Sequence, residues 1–313
     1  MAIFNAFSGI LTVFSVALLG YVLARGKRVS ADMANALPLF VTRIALPPYL
    51  LRTVTTTLER DQLVHLARGA FLPFLSISLA FALALLLVRL LKIARRRQGI
   101  FCTAFATSNA MNIGLPINVA LFGEVSLPYV LLYFFANVFF FWTVGNYAIA
   151  RDGEGPAPVL FSLDTVKRIF SPPLVGFCAG IALVFFDLRL PAFIDKAFFY
   201  IGGTTVGLVL IYLGIMLHNS VTRNYRLGKD VIAVMAGRFL VSPLIVVLLA
   251  RCVDIPVMMR DVFIIQSSLP VMINVLVLSG HYKADPDFSA MVVSITTFFS
   301  IFAIPVYYLI LHP

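Results

Sequence analysis

The sequence predicts an all-α integral membrane protein of ten transmembrane helices, arranged as two inverted five-helix repeats with helices four and nine broken. Three observations predict it. The mean hydropathy is +0.98 and 12% of the residues are charged, whereas a soluble domain carries roughly 25%. Lysine and arginine gather between apolar runs, as retained loops require. Two of the long runs are interrupted at matching places, one in each half, the sequence mark of a transporter's binding site.

A hydrocarbon core of ~30 Å needs about 20 helical residues at ~1.5 Å each. The spans read in order are 3–24, 34–51, 67–91, 99–123, 127–150, 172–186, 193–217, 231–252, 261–282 and 288–311. The first is apolar from its start, and Arg25, Lys27 and Arg28 follow it. A secretory signal carries its charge before the apolar run, so this span is predicted to stay, with its N-terminus outside. The second holds Arg43 and the pair Pro47–Pro48, and the third ends on the basic run KIARRR, 92–97. The fourth reads GIFCTAFATSNAMNIGLPINVALFG, with Asn109, Asn112, Gly114, Pro116 and Asn118 in its middle. After the fifth, residues 151–168 contain glycine and proline and read as a loop between the halves. The short sixth and the seventh carry small-xxx-small spacing at Gly176/Gly180 and Gly203/Gly207. That spacing permits close helix approach, and a homodimer face is a second use for it. The eighth holds Arg238. The ninth reads DVFIIQSSLPVMINVLVLSGHY, with Gln266, Ser267, Ser268, Pro270 and Asn274 in its middle. The tenth closes the chain.

Charge sets the orientation. Loops after odd spans carry Arg25, Lys27, Arg28, Lys92, Arg95, Arg96, Arg97, Arg151, Lys167, Arg168, Arg223, Arg226, Lys229 and Lys283. Loops after even spans carry half as many: Arg52, Arg60, Arg68, Arg189, Lys196, Arg251 and Arg260. Positive loops stay inside, so both termini face outward across a plasma membrane. The chain divides into a first repeat at 1–150, a cytoplasmic connection at 151–170 and a second repeat at 171–313. An odd number of spans in each half inverts the second against the first. The net charge of +10 is spread over these loops, which argues against nucleic acid as a partner. The bilayer is the partner it fits, and the 92–97 cluster reads as an orientation signal or a contact for anionic headgroups.

The broken spans carry the chemistry. Proline removes a backbone donor and clashes with the carbonyl four residues back. A helix restarting in mid-membrane presents free N–H groups and a partial positive charge, which bind carboxylates without a lysine. Asn109, Asn112 and Asn274 add amides, and Ser267 and Ser268 add hydroxyls, around Gly114, Pro116 and Pro270. The alternative is that these groups only satisfy broken backbone or join helices. Asn118 falls on the resumed helix. Arg43 and Arg238 are intramembrane charges with a functional reading. Arg238 lies about seven residues into its span, roughly 10 Å, so its stem also permits snorkelling to the headgroups.

His65, His218, His281 and His312 sit at span ends and read as interfacial. Glu124, Asp187 and Asp261 also lie near ends, which argues against a carboxylate proton pump. Sodium held by unwound carbonyls and protons remain the candidate coupling ions. Cys102, Cys178 and Cys252 are unpaired in sequence and read as small hydrophobes. No metal-ligand spacing, cofactor motif, G-x-x-x-x-G-K-[ST], H-E-x-x-H or G-x-S-x-G is found, so the chain does not read as an enzyme.

The segments SNAMNIGLPINVALFGE (108–124) and SSLPVMINVLVLSGHYKADPD (267–287) resemble the fourth- and ninth-span signatures of the auxin efflux carrier family. The resemblance implies ten spans in which the fourth and ninth cross at the binding site. It implies a scaffold of spans one, two, six and seven, and a mobile transport unit, similar to bile-acid/sodium symporters. Asn109 and Asn112 match the Asn-rich approach to the first break, and Pro116 and Pro270 match the crossover prolines. The chain lacks the long cytoplasmic loop of plant exporters and has Asn274 near a second plant proline. These departures point from auxin toward a small organic acid, malonate-like or auxin-like, moved by an elevator-type secondary transporter. A sodium-coupled carrier of the bile-acid-symporter kind and a non-transporting ligand sensor are the alternatives.

Overall fold

The computed structural model describes the chain apart from residues 1, 60–65, 67–68, 155–162, 222–226 and 313. Arg60, His65, Arg68, Arg223 and Arg226 therefore lie outside the described residues. Among the described residues, all regular structure is helical except one isolated antiparallel bridge, Ser108 with Val271.

The helices are α1 (Ala2–Arg25), α2 (Ala31–Phe40), α3 (Leu46–Thr57), α4 (Phe71–Leu90), α5 (Gln98–Ala106), α6 (Leu115–Phe122), α7 (Leu127–Phe140) and α8 (Asn146–Asp152). They continue as α9 (Leu163–Ile169), α10 (Pro172–Phe185), α11 (Ala192–Val221), α12 (Lys229–Ala236), α13 (Ser242–Ala250), α14 (Val257–Ser267), α15 (Asn274–His281) and α16 (Pro286–Leu311). Among the described residues, five stretches are long and apolar enough to cross a membrane: Phe71–Leu90, Glu124–Asp152, Ala192–His218, Lys229–Ala250 and Pro286–Leu311.

Wide π turns join several pieces: Val41–Ala45 joins α2 to α3, Phe141–Gly145 joins α7 to α8, and Gly237–Val241 joins α12 to α13. A fourth, Ala110–Gly114, leads into α6. Pro47, Pro116 and Pro243 each sit second in the helix that follows such a turn. A proline there cannot donate four residues back, and the wider turn absorbs the missing bond without ending the helix. The second span accordingly runs on to Thr57 rather than stopping at 51.

Among the described residues, four helices end on a non-glycine residue in the left-handed region: Lys27, Lys92, Asp187 and Lys283. Each is followed by an N–H that reaches back to close the last turn, from Arg28 to Leu23, Ile93 to Val88, Leu188 to Leu183 and Ala284 to Ser279.

The segment 151–168 is less of a loop than its composition suggests. Helix α8 runs through Asp152, and α9 begins at Leu163. Asp152 is held because its Oδ2 accepts from the Ile100 N–H at 2.8 Å, capping α5.

The helices pack as two sets, which meet where α1 lies against α6 and α11 against α16. In the first, α1 lies along α11 and α3 lies along α10 and α11. Close approach is set by glycine: a Cβ on Gly214 would fall 1.8 Å from the Ala17 carbonyl oxygen, and one on Gly176 2.4 Å from that of Pro47. Gly203 and Gly207, singled out by their spacing, face open space instead. Arg52 pairs with Asp195 at 3.0 Å across α3 and α11. The second set comprises α4–α8 and α12–α16. It is tied at one end by Arg97, which bridges Asp285 (2.6 Å) and Asp230 (2.9 Å). Tyr282 adds a hydroxyl bond to Asn146 Oδ1 at 3.0 Å. Cys102 is buried, Cys178 and Cys252 are exposed, and all three are free.

Candidate functional site

Both broken spans stop and restart beside each other. Helix α5 ends at Ala106, and Thr107 is extended. Helix α14 ends at Ser267, and the chain restarts as α15 at Asn274. The free backbone between must find partners inside the protein. The Asn109 N–H donates to the Pro270 carbonyl at 2.9 Å. The Val271 N–H donates to Thr296 Oγ1 at 3.1 Å. The Ser108 N–H donates to Asn137 Oδ1 at 2.9 Å, and Asn137 Nδ2 donates back to the Ser108 carbonyl at 2.8 Å. One amide on α7 thus serves as the second strand that Ser108 lacks.

Beside this crossing lies a cavity of about 660 Å³. The first helix set contributes Thr42, Arg43, Ser171 and Tyr212 to its wall. The second contributes residues 109–112, Phe134, Asn137, Trp142 and residues 272–274. Residues 109–112 open the restarted fourth span, and Asn274 opens α15. Both restarts therefore present their first turns, and the partial positive charge of a helix start, to one space. Asn109 Nδ2 is buried with no hydrogen-bond partner. Arg43 is exposed, and no hydrogen bond or ion pair to it occurs among the described residues. None of the lining residues is Asp, Glu or His.

The predicted residues thus divide. Asn109, Asn112, Asn274 and Arg43 line the cavity, whereas Gly114, Pro116, Ser267, Ser268, Pro270 and Arg238 do not. Ser267 and Ser268 turn their hydroxyls back onto the carbonyls of Ile264 (2.7 Å) and Ile265 (2.9 Å). Pro270 lies in its break, whereas Pro116 sits on α6, downstream of the extended residue Thr107. Gly114 is packed against the other break: a Cβ there would meet Gln266 Oε1 and a Leu269 methyl, both at 2.4 Å. Asn118 satisfies broken backbone by donating to the Gly114 carbonyl at 2.7 Å. Arg238 does not snorkel. It is fully buried, and its guanidinium is bonded to carbonyls.

Sequence reasoning missed Asn137, Thr296, Tyr212 and Trp142. Only Asn137 carried a signal, as a single amide in the apolar run LPYVLLYFFANVFF.

An apolar helical bundle in which two interrupted helices meet beside a half-open cavity with asparagine amides in its wall defines a membrane transport protein of the broken-helix class. Residues 5–308 match the membrane transport protein family, and the chain belongs to it, the family of the auxin efflux carriers. An uncharacterized transporter of Methanocaldococcus jannaschii is 28% identical over 299 residues, covering 94% of this chain and 95% of the relative. The lysosomal cholesterol signaling protein of Mus musculus is 22% identical over 262 residues, covering 78% of this chain and 30% of that longer protein.

Proposed function

We propose that this chain is a secondary transporter for a small organic anion of the plasma membrane, with its substrate held in the cavity beside the crossover. The observation that carries the reading is the cavity wall. Two helix restarts, the amides of Asn109, Asn112 and Asn274, and the unpaired Arg43 converge on a space without a carboxylate. Such a wall favours a carboxylate and repels no part of it.

Ten spans in two inverted five-helix repeats, with both termini outside, are the arrangement we assign to it. The two helix sets supply a scaffold and a moving unit for elevator-type alternating access. In support, the cavity lies between the sets, and the ion pairs Arg52–Asp195 and Arg97–Asp285 each lie within one set, whereas the Tyr49–Glu124 hydrogen bond crosses from one to the other.

The test is counterflow. Purified protein in vesicles preloaded with unlabelled mono- or dicarboxylates takes up the labelled acid, and Asn112→Ala slows that uptake. Binding without exchange would replace the transporter with a ligand sensor, a reading the mouse relative's signalling name favours.

A further inference from the structure

Arg238 is 0% exposed and stands at neither the cavity nor the surface. Its Nε donates to the Leu269 carbonyl at 2.9 Å, and its Nη2 to the Ser267 carbonyl at 2.6 Å. Its Nη1 donates to the Phe105 carbonyl at 3.3 Å, the Ala106 carbonyl at 3.1 Å and Ser242 Oγ at 3.4 Å. The first two carbonyls belong to the break in the ninth span and the next two to the end of α5. Among the described residues no carboxylate pairs with Arg238. Its charge is met by the negative ends of two half-helices.

The place is built for it. Arg238 lies in the π turn Gly237–Val241, whose wider turn sets the side chain toward the crossing. A Cβ on Gly237 would fall 2.3 Å from the Phe105 ring, so only glycine lets the turn come this close. Carbonyls at such half-helix ends are the groups with which broken-helix transporters hold a coupling sodium ion or proton. Here they already surround a cation that cannot leave and that stays protonated at any physiological pH.

We infer that Arg238 is a tethered cation that occupies the coupling-ion position of the crossover. It fixes both breaks in register, so that the restarts of residues 109–112 and 272–274 face the cavity. Substrate binding then needs no sodium. The inference rests on the transporter reading above and assigns the coupling that reading leaves open.

The experiment uses detergent-purified full chain and reads melting temperature and carboxylate binding, in sodium salts and in N-methyl-D-glucamine salts. Wild type is expected to melt and to bind equally in both. In N-methyl-D-glucamine salts Arg238→Ala is expected to melt lower and to bind at least about tenfold more weakly, since removing one partner strands the buried acceptors. Added low-millimolar guanidinium, or sodium, is expected to restore it by refilling the vacated place. Arg238→Lys keeps the charge but not the fork that spans both breaks. It is expected to fold and fall between the two, and it decides the matter if the alanine variant does not express.

Sodium-dependent melting or binding of the wild type overturns the inference. So does an Arg238→Ala or Arg238→Lys protein that matches the wild type in both readouts in N-methyl-D-glucamine salts. If the wild type answers no carboxylate in either salt, the anion reading fails, while melting and its rescue still decide the role of Arg238.

Discussion

Replacing Asn137 by alanine tests the crossover most directly. The side chain and Ser108 are both 0% exposed, and the two amide bonds at 2.9 Å and 2.8 Å take up both backbone groups of Ser108. Alanine removes donor and acceptor together and leaves a buried N–H and a buried carbonyl without partners. Each costs about 1–3 kcal/mol, so the full loss is about 2–6 kcal/mol. Asn137 also borders the cavity, and water entering from that side replaces part of the bonding. We therefore expect about 2–4 kcal/mol of destabilisation, read as a lower melting temperature of the purified protein, with weaker carboxylate binding. Asn137→Asp is the sharper control. Its carboxylate still accepts from the Ser108 N–H but repels the Ser108 carbonyl, so it should rescue nothing. A loss below about 0.5 kcal/mol for Asn137→Ala would refute the view that this amide completes the broken span.

Gly114→Ala drives a methyl into Gln266 and Leu269 at 2.4 Å, where both neighbours are buried. The expected cost is about 1–3 kcal/mol, again read by melting, and unchanged stability would mean that the two breaks separate easily. Arg43→Gln removes the unpaired charge of the cavity wall and is expected to weaken carboxylate binding roughly tenfold with little effect on melting. Equal affinity would remove Arg43 from the site. Tyr49→Phe deletes the 3.2 Å bond from the Tyr49 hydroxyl to Glu124 Oε1, which links α3 to the turn before α7, across the two helix sets. Counterflow rates should change by a few-fold while affinity holds, corresponding to about 0.5–1.5 kcal/mol. A changed affinity with an unchanged rate would contradict a sliding role for that interface.

The membrane class, the helical fold and the two breaks were legible in the sequence because each rests on local physics. Apolar run length, glycine and proline placement and the position of Lys and Arg need no knowledge of what packs where. The family likeness could be read in 108–124 and 267–287 for the same reason: each is one contiguous motif. The sharing out of roles was not legible. Ser267, Ser268, Asn109 and Asn274 all stand near a break, and only packing turns two hydroxyls onto their own helix and two amides onto the cavity wall. Arg43 and Arg238 look alike in sequence, each an arginine in an apolar span. One borders an open space, and the other is enclosed by carbonyls from two distant segments.

By itself, then, the sequence determined that this is a membrane transport protein with two interrupted helices. Hydrophobicity and backbone bonding act over a few residues and leave their mark in composition and spacing. Only the tertiary structure decided which polar groups face the cavity and which close the backbone. That choice depends on partners such as Asn137, Thr296 and Arg238, brought from far along the chain to groups that water cannot reach.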